Sequence, residues 1–311
     1  VKQNDAVTLT ATFDENIADS PVMQISGSGV ESISATDMTK VTDTLYTHSW
    51  TTPAGDGTQT FTLLTGRDYA GNGIINVPTS GGSIIVDNTS PTFTAVTSVS
   101  DNTYDPSLSM VGDIVTVTMV TSEITQAPDI TIGGSLGTVT GSDTTWTAVR
   151  TLTADDTEGA VTLSIDYLDL AGNTGEQTTA TTDGSVVTFD KTPPVFTAVT
   201  VVSNNTYDSA LAMVSDTVTV TMAASEITQA PAVTIGGTIA TVTGSGTAWT
   251  AVRTLTADDT EGAIALSIDY LDLAGNAGAQ ATAATDGSVV TFDKTAPVIT
   301  AVTSGSNNTY D

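Results

Sequence analysis

The sequence contains no cysteine, one histidine, and only 7 basic residues against 35 acidic ones. The absence of cysteine excludes disulfides and thiolate metal sites, so any bound metal would need oxygen ligands. The formal net charge of −28 argues against nucleic acid and anionic membrane surfaces as partners, because both need clustered lysine and arginine. No apolar run approaches the roughly 18 residues of a membrane-spanning helix, so we expect no membrane insertion.

The chain is built from an internal repeat of about a hundred residues, a typical size for one β-sandwich domain. Trp146 and Trp249 lie 103 residues apart, in two copies of WTAVRTLTADDTEGA. Tyr104, Tyr207 and Tyr310, each in the sequence NTYD, keep the same spacing. The predicted domains are repeat 1 (1–87, diverged and without a first strand), repeat 2 (88–190) and repeat 3 (191–293), followed by a tail (294–311).

Within a repeat the hydrophobic pattern has the period of two that is typical of β-strands. Residues 216–224, DTVTVTMAA, place Val218, Val220 and Met222 on one face and threonines on the other. Clusters of Gly, Asn, Asp and Pro at short spacing indicate antiparallel connections. In repeat 3 the pattern predicts seven strands, at 194–202, 216–224, 231–235, 238–243, 247–256, 263–271 and 287–292. The predicted fold class is therefore all-β, with tandem immunoglobulin-like β-sandwich domains.

Two motifs carry a resemblance to a known family. The sequence DYLDLAGN occurs at 166–173 and 269–276, and a shorter copy, RDYAGN, lies at 67–72. The linker segments DNTSP, DKTPP and DKTAP open at Asp87, Asp190 and Asp293. In these motifs the chain resembles the bacterial immunoglobulin-like tandem repeats of large extracellular adhesins and surface fibre proteins. The resemblance implies a stalk module at the cell surface, often stiffened by calcium.

Acidic residues recur at the end of the sandwich where the B–C and F–G loops lie. Three carboxylates brought together there would repel one another unless a cation joined them, and Ca²⁺ tolerates irregular oxygen ligand sets better than Mg²⁺. The alternative is a plain turn, in which the Asp only caps backbone N–H groups. We predict Ca²⁺ as the cofactor. The candidate ligands are Glu15, Asp68 and Asn72 in repeat 1, Asp87, Glu123, Asp169 and Asn173 around repeat 2, Asp190, Glu226, Asp272 and Asn276 around repeat 3, and Asp293 before the tail.

Three further features have more than one interpretation. The segment ADDTEGA, at 154–160 and 257–263, is expected in a turn at the opposite end of the sandwich, facing the next linker as a solvated acidic turn rather than a metal site. His48 is expected on a surface strand. The tryptophan of each repeat could line a sugar-binding face or pack in the core; these residues are Trp50, Trp146 and Trp249.

The two ends of the chain carry complementary parts of a repeat. Residues 5–13, DAVTLTATF, align with the second strand of the later repeats, whereas 294–311 resemble a first strand. One explanation is a fragment taken from a longer array. The other is donation of the tail to repeat 1 of an identical subunit, head to tail, which would bring Asp293 to Glu15, Asp68 and Asn72 and build a filament.

The sequence therefore predicts a structural or adhesive extracellular fibre or stalk, and not an enzyme. The later repeats contain no histidine or cysteine for nucleophilic catalysis, and no insertion that would form a pocket around an acid pair. The predicted partners are neighbouring repeats, identical subunits and a cell-surface or glycan receptor. The alternative function is a glycan-binding or accessory module of a secreted protein.

Overall fold

The computed structural model describes residues 1–20, 22–75 and 80–305, and every regular element in this part of the chain is a β-strand. None of these residues belongs to a helix that is long and apolar enough to span a membrane. Tyr310 and the rest of 306–311 lie outside the described residues. The predicted all-β fold with tandem β-sandwich domains is confirmed.

The described part of repeat 1 forms two sheets. Its strands are β1 (Ala6–Thr12), β2 (Gln24–Ser28), β3 (Ile33–Asp37), β4 (Thr39–Thr42), β5 (Leu45–Thr51), β6 (Gly57–Thr65) and β7 (Ser83–Val86). One sheet has the order β1-β5-β4 and the other has the order β3-β2-β6-β7. β1 pairs with β5 along its whole length, from Ala6 opposite Thr51 to Thr12 opposite Leu45.

Repeat 2 adds a fourth strand to the sheet that corresponds to β1-β5-β4. Its strands are β8 (Phe93–Ser100), β9 (Leu108–Ser109), β10 (Ile114–Thr121), β11 (Asp129–Ile132), β12 (Ser135–Leu136), β13 (Thr138–Ser142), β14 (Thr145–Thr151), β15 (Gly159–Ala160), β16 (Leu163–Asp166) and β17 (Thr188–Phe189). The four-stranded sheet has the order β13-β14-β10-β8, and a second sheet has the order β12-β11-β16. β9 and β17 pair in parallel.

Repeat 3 reproduces this arrangement. Its strands are β18 (Phe196–Ser203), β19 (Leu211–Ala212), β20 (Thr217–Ala224), β21 (Ala232–Ile235), β22 (Thr238–Ile239), β23 (Thr241–Ser245), β24 (Ala248–Thr254), β25 (Gly262–Ala263), β26 (Leu266–Asp269) and β27 (Thr291–Phe292). The sheets have the orders β18-β20-β24-β23, β22-β21-β26 and β19-β27-β25. The predicted strand at 263–271 is divided into β25 and β26, and the predicted strand at 287–292 is reduced to two residues.

The chain divides into two compact units, whose limits fall inside repeat 2. The first unit contains Val1–Val99, Ile114–Thr151 and Ala160–Val187. The second contains Ser100–Asp113, Leu152–Gly159 and Thr188–Asp311. The linker that opens at Asp190 therefore lies in the same unit as the whole of repeat 3, and the linker that opens at Asp87 lies in the first unit.

The core of repeat 3 follows from the alternation in its sequence. Val218 and Val220 in β20 are fully buried and Met222 is 1% exposed, whereas the threonines between them face outward. Trp249 lies opposite Met222 on β24, and its Nε1–H donates to Oγ1 of Thr228 at 2.9 Å. A buried indole N–H needs a hydrogen-bond acceptor, so this bond allows the tryptophan side chain to be buried in the core without an unsatisfied donor.

Candidate metal centre

Two groups of three carboxylates lie at equivalent positions around repeats 2 and 3. In each group, one oxygen atom of every carboxylate lies within 4.8 Å of the others. The sequence predicts these two meeting points, and the structure brings the carboxylates together there. Cluster 1 consists of Asp87, Glu123 and Asp169, and cluster 2 consists of Asp190, Glu226 and Asp272.

Each carboxylate of cluster 2 comes from a different segment. Asp190 directly follows β17 and opens the linker, and its N–H donates to the backbone oxygen of Ser109 at 2.8 Å. Glu226 lies just after β20, and Asp272 lies just after β26. An isolated β-bridge between Thr228 and Asp272 holds the two loops side by side. The three carboxylates therefore meet where the linker enters the sandwich.

The loop after Asp272 is a tight turn around its carboxylate. The N–H groups of Gly275 and Asn276 donate to Oδ1 of Asp272, at 2.6 and 2.8 Å. Gly275 has a φ of 100°, which glycine adopts at little cost. The capping role that the sequence leaves open is thus present at Asp272, and Oδ1 of Asp190 likewise accepts a hydrogen bond from the N–H of Thr192 at 3.0 Å. Capping does not account for Glu226, the third carboxylate of the cluster.

The asparagine of each loop ties that loop to the linker. Nδ2 of Asn276 donates to Oδ2 of Asp272 at 2.8 Å and to the backbone oxygen of Asp190 at 3.1 Å. Nδ2 of Asn173 makes the equivalent bonds in cluster 1, at 2.6 and 2.9 Å. Both asparagines position the carboxylates through their amide groups, and ligation of a metal by their oxygens stays a prediction.

Burial and like charge make both clusters unfavourable as bare anions. Asp169 and Asp272 are each 1% exposed. Burial raises the pKa of Glu226 above its ordinary value, and the charges of Asp190 and Asp272 raise it further. Burial also raises the pKa of Glu123, with added contributions from the charges of the other members of cluster 1. A bound cation would offset this repulsion and favour the ionised carboxylates.

A fourth carboxylate, which the sequence does not predict as part of a site, faces cluster 2 from repeat 2. Glu158, in the ADDTEGA turn, accepts hydrogen bonds at Oε1 from the N–H of Lys191 at 2.9 Å and from the hydroxyl of Thr192 at 2.6 Å. Burial is the largest cause of the raised pKa of Asp190, and the charges of Asp272 and Glu158 add to it. The turn therefore faces the linker, as predicted, and also adds negative charge to cluster 2.

Asp56 has the same relation to cluster 1 from repeat 1. It accepts hydrogen bonds from the N–H of Asn88 at 2.5 Å and the hydroxyl of Thr89 at 2.8 Å, and these bonds lower its pKa. Its charge adds to the raised pKa of Glu123, after burial and the charges of Asp87 and Asp169. Both clusters are therefore approached by an acid from the repeat before the linker.

Repeat 1 and the tail hold only parts of such a cluster. Asp68 accepts hydrogen bonds from the N–H and Nδ2 of Asn72, at 2.7 and 2.6 Å. Oδ1 of Asp293 accepts from the N–H of Thr295 at 2.9 Å. Among the described residues, the only groups of three convergent acidic side chains are clusters 1 and 2. Within one chain, the structure does not bring Glu15, Asp68 and Asp293 into a group of this kind.

The tryptophans do not form a binding face. Trp50, Trp146 and Trp249 are 6%, 8% and 9% exposed. The indole N–H of Trp50 donates to Oε2 of Glu31 at 3.1 Å, and the other two donate to buried threonine hydroxyls at 2.9 Å. Of the two interpretations left open by the sequence, core packing is therefore the correct one. His48 lies on β5, as expected for a strand residue.

No family model and no curated protein matches this sequence. Among solved structures, the I9-I11 tandem from titin is 11% identical, with a TM-score of 0.32, covering 94% of this chain and 93% of that one. The fibronectin(III)-like modules of Clostridium thermocellum CbhA are 13% identical, with a TM-score of 0.30, covering 63% of this chain and 93% of that one. Domains 1-6 of the surface layer protein SbsC are 14% identical, with a TM-score of 0.20, covering 96% of this chain and 54% of that one. No residue role or ligand is carried from these proteins to this chain.

Proposed function

We propose that the chain is a structural part of an extracellular fibre or adhesive stalk, in which Ca²⁺ stiffens the joints between successive β-sandwich repeats. The observation that carries the proposal is the composition of clusters 1 and 2. Each combines a linker Asp with two acids of the following repeat, and each is faced by an acid of the preceding repeat. A cation held there would attach the linker to the sandwich and restrict bending at the joint.

The chemistry of the side chains favours Ca²⁺ over other cations. All of the cluster members are carboxylates, which are hard oxygen ligands. Ca²⁺ takes six to eight such ligands in irregular geometry, whereas Mg²⁺ demands a near-ideal octahedron. The amide hydrogen bonds of Asn173 and Asn276 hold one carboxylate of each cluster in place before any ion binds. That pre-organisation lowers the entropy lost on binding.

A stalk accounts for the near-identity of repeats 2 and 3. Repeats that only supply length and stiffness need no binding site that is specific to one copy. We propose no catalytic role. The rival function of glycan recognition by the tryptophans loses its support, since all three side chains are buried. Adhesion to a receptor would then belong to other surfaces of a larger assembly.

The proposal is tested by thermal unfolding in Ca²⁺, in Mg²⁺ and in EGTA. We expect Ca²⁺ to raise Tm above its value in EGTA, because an ion that binds only the folded state stabilises that state. Glu158→Gln should reduce this Ca²⁺-dependent increase in Tm, because it removes a negative charge that faces cluster 2. Glu261→Gln is the matched control, since Glu261 makes the same bonds to Lys294 and Thr295, at 2.9 and 2.6 Å. Equal Tm values in Ca²⁺ and EGTA would refute the proposal.

A further inference from the structure

The residue that follows each linker Asp is held by a turn of the preceding repeat. Nζ of Lys191 donates to the backbone oxygens of Ala154 and Asp156, both at 2.8 Å. The N–H of Lys191 donates to Oε1 of Glu158 at 2.9 Å. The side chain and the backbone of one linker residue therefore bind the same turn. We call this turn, residues 154–158, the socket of repeat 2.

Repeat 1 has a socket of the same kind with a different sequence. Its turn reads PAGD, at 53–56, where repeat 2 has ADDTE. Nδ2 of Asn88 donates to the backbone oxygen of Gly55 at 2.6 Å and to that of Pro53 at 3.4 Å. The N–H of Asn88 donates to Oδ1 of Asp56 at 2.5 Å. The linker residue is asparagine here instead of lysine, yet two backbone oxygens and one carboxylate again hold it.

The socket of repeat 3 makes the same contacts as that of repeat 2. Nζ of Lys294 donates to the backbone oxygens of Ala257 and Asp259, at 2.8 and 2.9 Å. Its N–H donates to Oε1 of Glu261 at 2.9 Å. Three linker residues thus bind their sockets alike, and one of the three side chains carries no charge. The shared feature is the hydrogen bonding of the linker residue rather than its charge.

The socket of repeat 2 is ordered by hydrogen bonds of its own. Oδ2 of Asp156 accepts from the N–H of Thr153 at 2.7 Å and from its hydroxyl at 3.1 Å. These bonds do not involve the linker, and Asp156 is 8% exposed. They fix the turn whose backbone oxygens receive Lys191, so the linker residue binds acceptors that are already held in place.

Cluster 2 needs such an attachment, because its carboxylates repel one another. Burial raises the pKa of Asp190, and the charges of Asp272 and Glu158 add to this rise. On one side, the backbone oxygen of Asp190 accepts the amide hydrogen bond of Asn276 in the following repeat. On the other side, Lys191 binds the socket of the preceding repeat. The linker Asp is therefore held between two attachments, and both are direct hydrogen bonds.

We propose that Lys191 is a positioning residue, which attaches the linker to the socket of repeat 2 without metal and so holds Asp190 in place for cluster 2. Asn88 does the same for Asp87 and cluster 1. The attachment itself does not depend on a bound cation, whereas its effect on cation binding rests on the proposed function. Lys191 acts through its hydrogen bonds and not by neutralising the cluster.

The first test is amide hydrogen exchange of the whole chain in EGTA, followed by NMR. Lys191→Met keeps an unbranched side chain but removes the ammonium donor. We expect exchange at residues 191 and 192 to become about fivefold faster or more, because the linker leaves the socket more often. Exchange within β20 and β24 should keep the parent rate, which separates loss of the attachment from general destabilisation. Unchanged exchange at 191 and 192 would overturn the proposal.

The second test is the affinity of cluster 2 for Ca²⁺, measured by isothermal calorimetry. If Lys191 acted only through its charge, Lys191→Met would strengthen binding, because a charge that repels the cation is lost. The attachment predicts the opposite sign, a loss of about fivefold or more at one site with cluster 1 unchanged. Lys191→Arg keeps the charge and N–H donors and should retain the affinity.

Lys294→Met is the matched control, since Lys294 makes the same contacts but follows Asp293, which belongs to neither cluster. Weaker binding in Lys191→Met alone would support the proposal. Tighter or unchanged binding in Lys191→Met, or equal losses in both lysine-to-methionine variants, would overturn it. If the parent chain binds no Ca²⁺, the proposed function fails, and the exchange rates in EGTA still decide whether the attachment exists.

Discussion

Nδ2 of Asn276 donates a hydrogen bond to the backbone oxygen of Asp190, 86 residues earlier, at 3.1 Å. The same amide group donates to Oδ2 of Asp272 at 2.8 Å. One side chain therefore links the linker backbone to a carboxylate of cluster 2. Because the equivalent bonds of Asn173 recur in cluster 1, this relationship is a property of the repeat.

Asn276→Ala should lower the free energy of unfolding by about 1–3 kcal/mol, because it removes the amide donor from the part-buried backbone oxygen of Asp190 and from Oδ2 of Asp272. Asn72→Ala is the control, since Asn72 is exposed and its amide donates to Asp68 of its own loop. We expect Asn72→Ala to lower the free energy of unfolding less than Asn276→Ala does. Urea denaturation in EGTA measures both, and equal losses would show that the linker bond contributes nothing.

The raised pKa of Glu226 predicts a pH dependence in the metal-free protein. Burial, followed by the charges of Asp190 and Asp272, raises this pKa above the unfolded value of about 4.3. Below the unfolded pKa, Glu226 is protonated in both states and costs the folded protein nothing. As the pH rises through the folded pKa, Glu226 must ionise inside the cluster, and the folded state loses stability. Glu226→Gln stays neutral at every pH.

We thus expect Glu226→Gln to raise the Tm of the metal-free protein at pH 7 and to have little effect below about pH 4. Scanning calorimetry in EGTA across this range gives the difference. A difference in Tm between variant and parent that does not change with pH, or a lower Tm for the variant at pH 7, would contradict this account of the raised Glu226 pKa.

A part-buried ion pair holds the ADDTEGA turn of repeat 3. Nη2 of Arg253 lies 2.6 Å from Oδ1 of Asp259, and both side chains are 10% exposed. Although burial tends to raise the pKa of Asp259, hydrogen bonds from the Thr256 backbone and from Arg253 hold it below its ordinary value. Asp259→Ala should cost about 1.5–3 kcal/mol of stability, because it removes the charge-assisted hydrogen bond of a part-buried guanidinium, whose Nη1–H still donates to the backbone oxygen of Ile235.

Lys40 supplies the comparison for this ion pair. It contacts Asp19 at 2.5 Å and Asp43 at 2.8 Å, but these carboxylates are 76% and 52% exposed. Lys40→Ala should therefore lower stability far less than Asp259→Ala, since exposed pairs are screened by water and salt. Urea denaturation of both variants measures the ranking, and the reverse ranking would contradict the role given to burial.

The strands and the carboxylate clusters could be predicted because both follow from local pattern plus sandwich topology. Alternation at residues 216–224 corresponds to β20, and the loops after β20 and β26 meet as expected. The two-residue strands β9 and β19 could not be predicted, since such short segments show no periodicity. Their pairing in parallel with β17 and β27 depends on contacts distant in sequence.

The sequence places the ADDTEGA turn beside the next linker but favours a solvated turn there over a metal site, so the contribution of Glu158 to cluster 2 is not predicted. Asp56 is not predicted either, because the diverged repeat 1 carries no copy of that motif. The sequence signal for the Glu158 contact is a constant separation between the acid and the linker lysine. Glu158 and Glu261 each lie 33 residues before the lysine from whose N–H they accept a hydrogen bond. The positioning role of Asn276 is not predicted because its partner is a backbone oxygen, which no sequence pattern marks.

Calcium titration by isothermal calorimetry tests the central claim, that the joint carboxylates bind Ca²⁺. Two complete clusters predict about two sites per chain. Asp272→Asn and Glu226→Gln should each remove one site and leave the other, whereas Asp68→Asn in repeat 1 should leave both. Circular dichroism checks that the variants remain folded. Binding of about two ions, reduced to one by either change in cluster 2, is the result that the account predicts; no binding heat, or a stoichiometry that these changes leave unaltered, would contradict it.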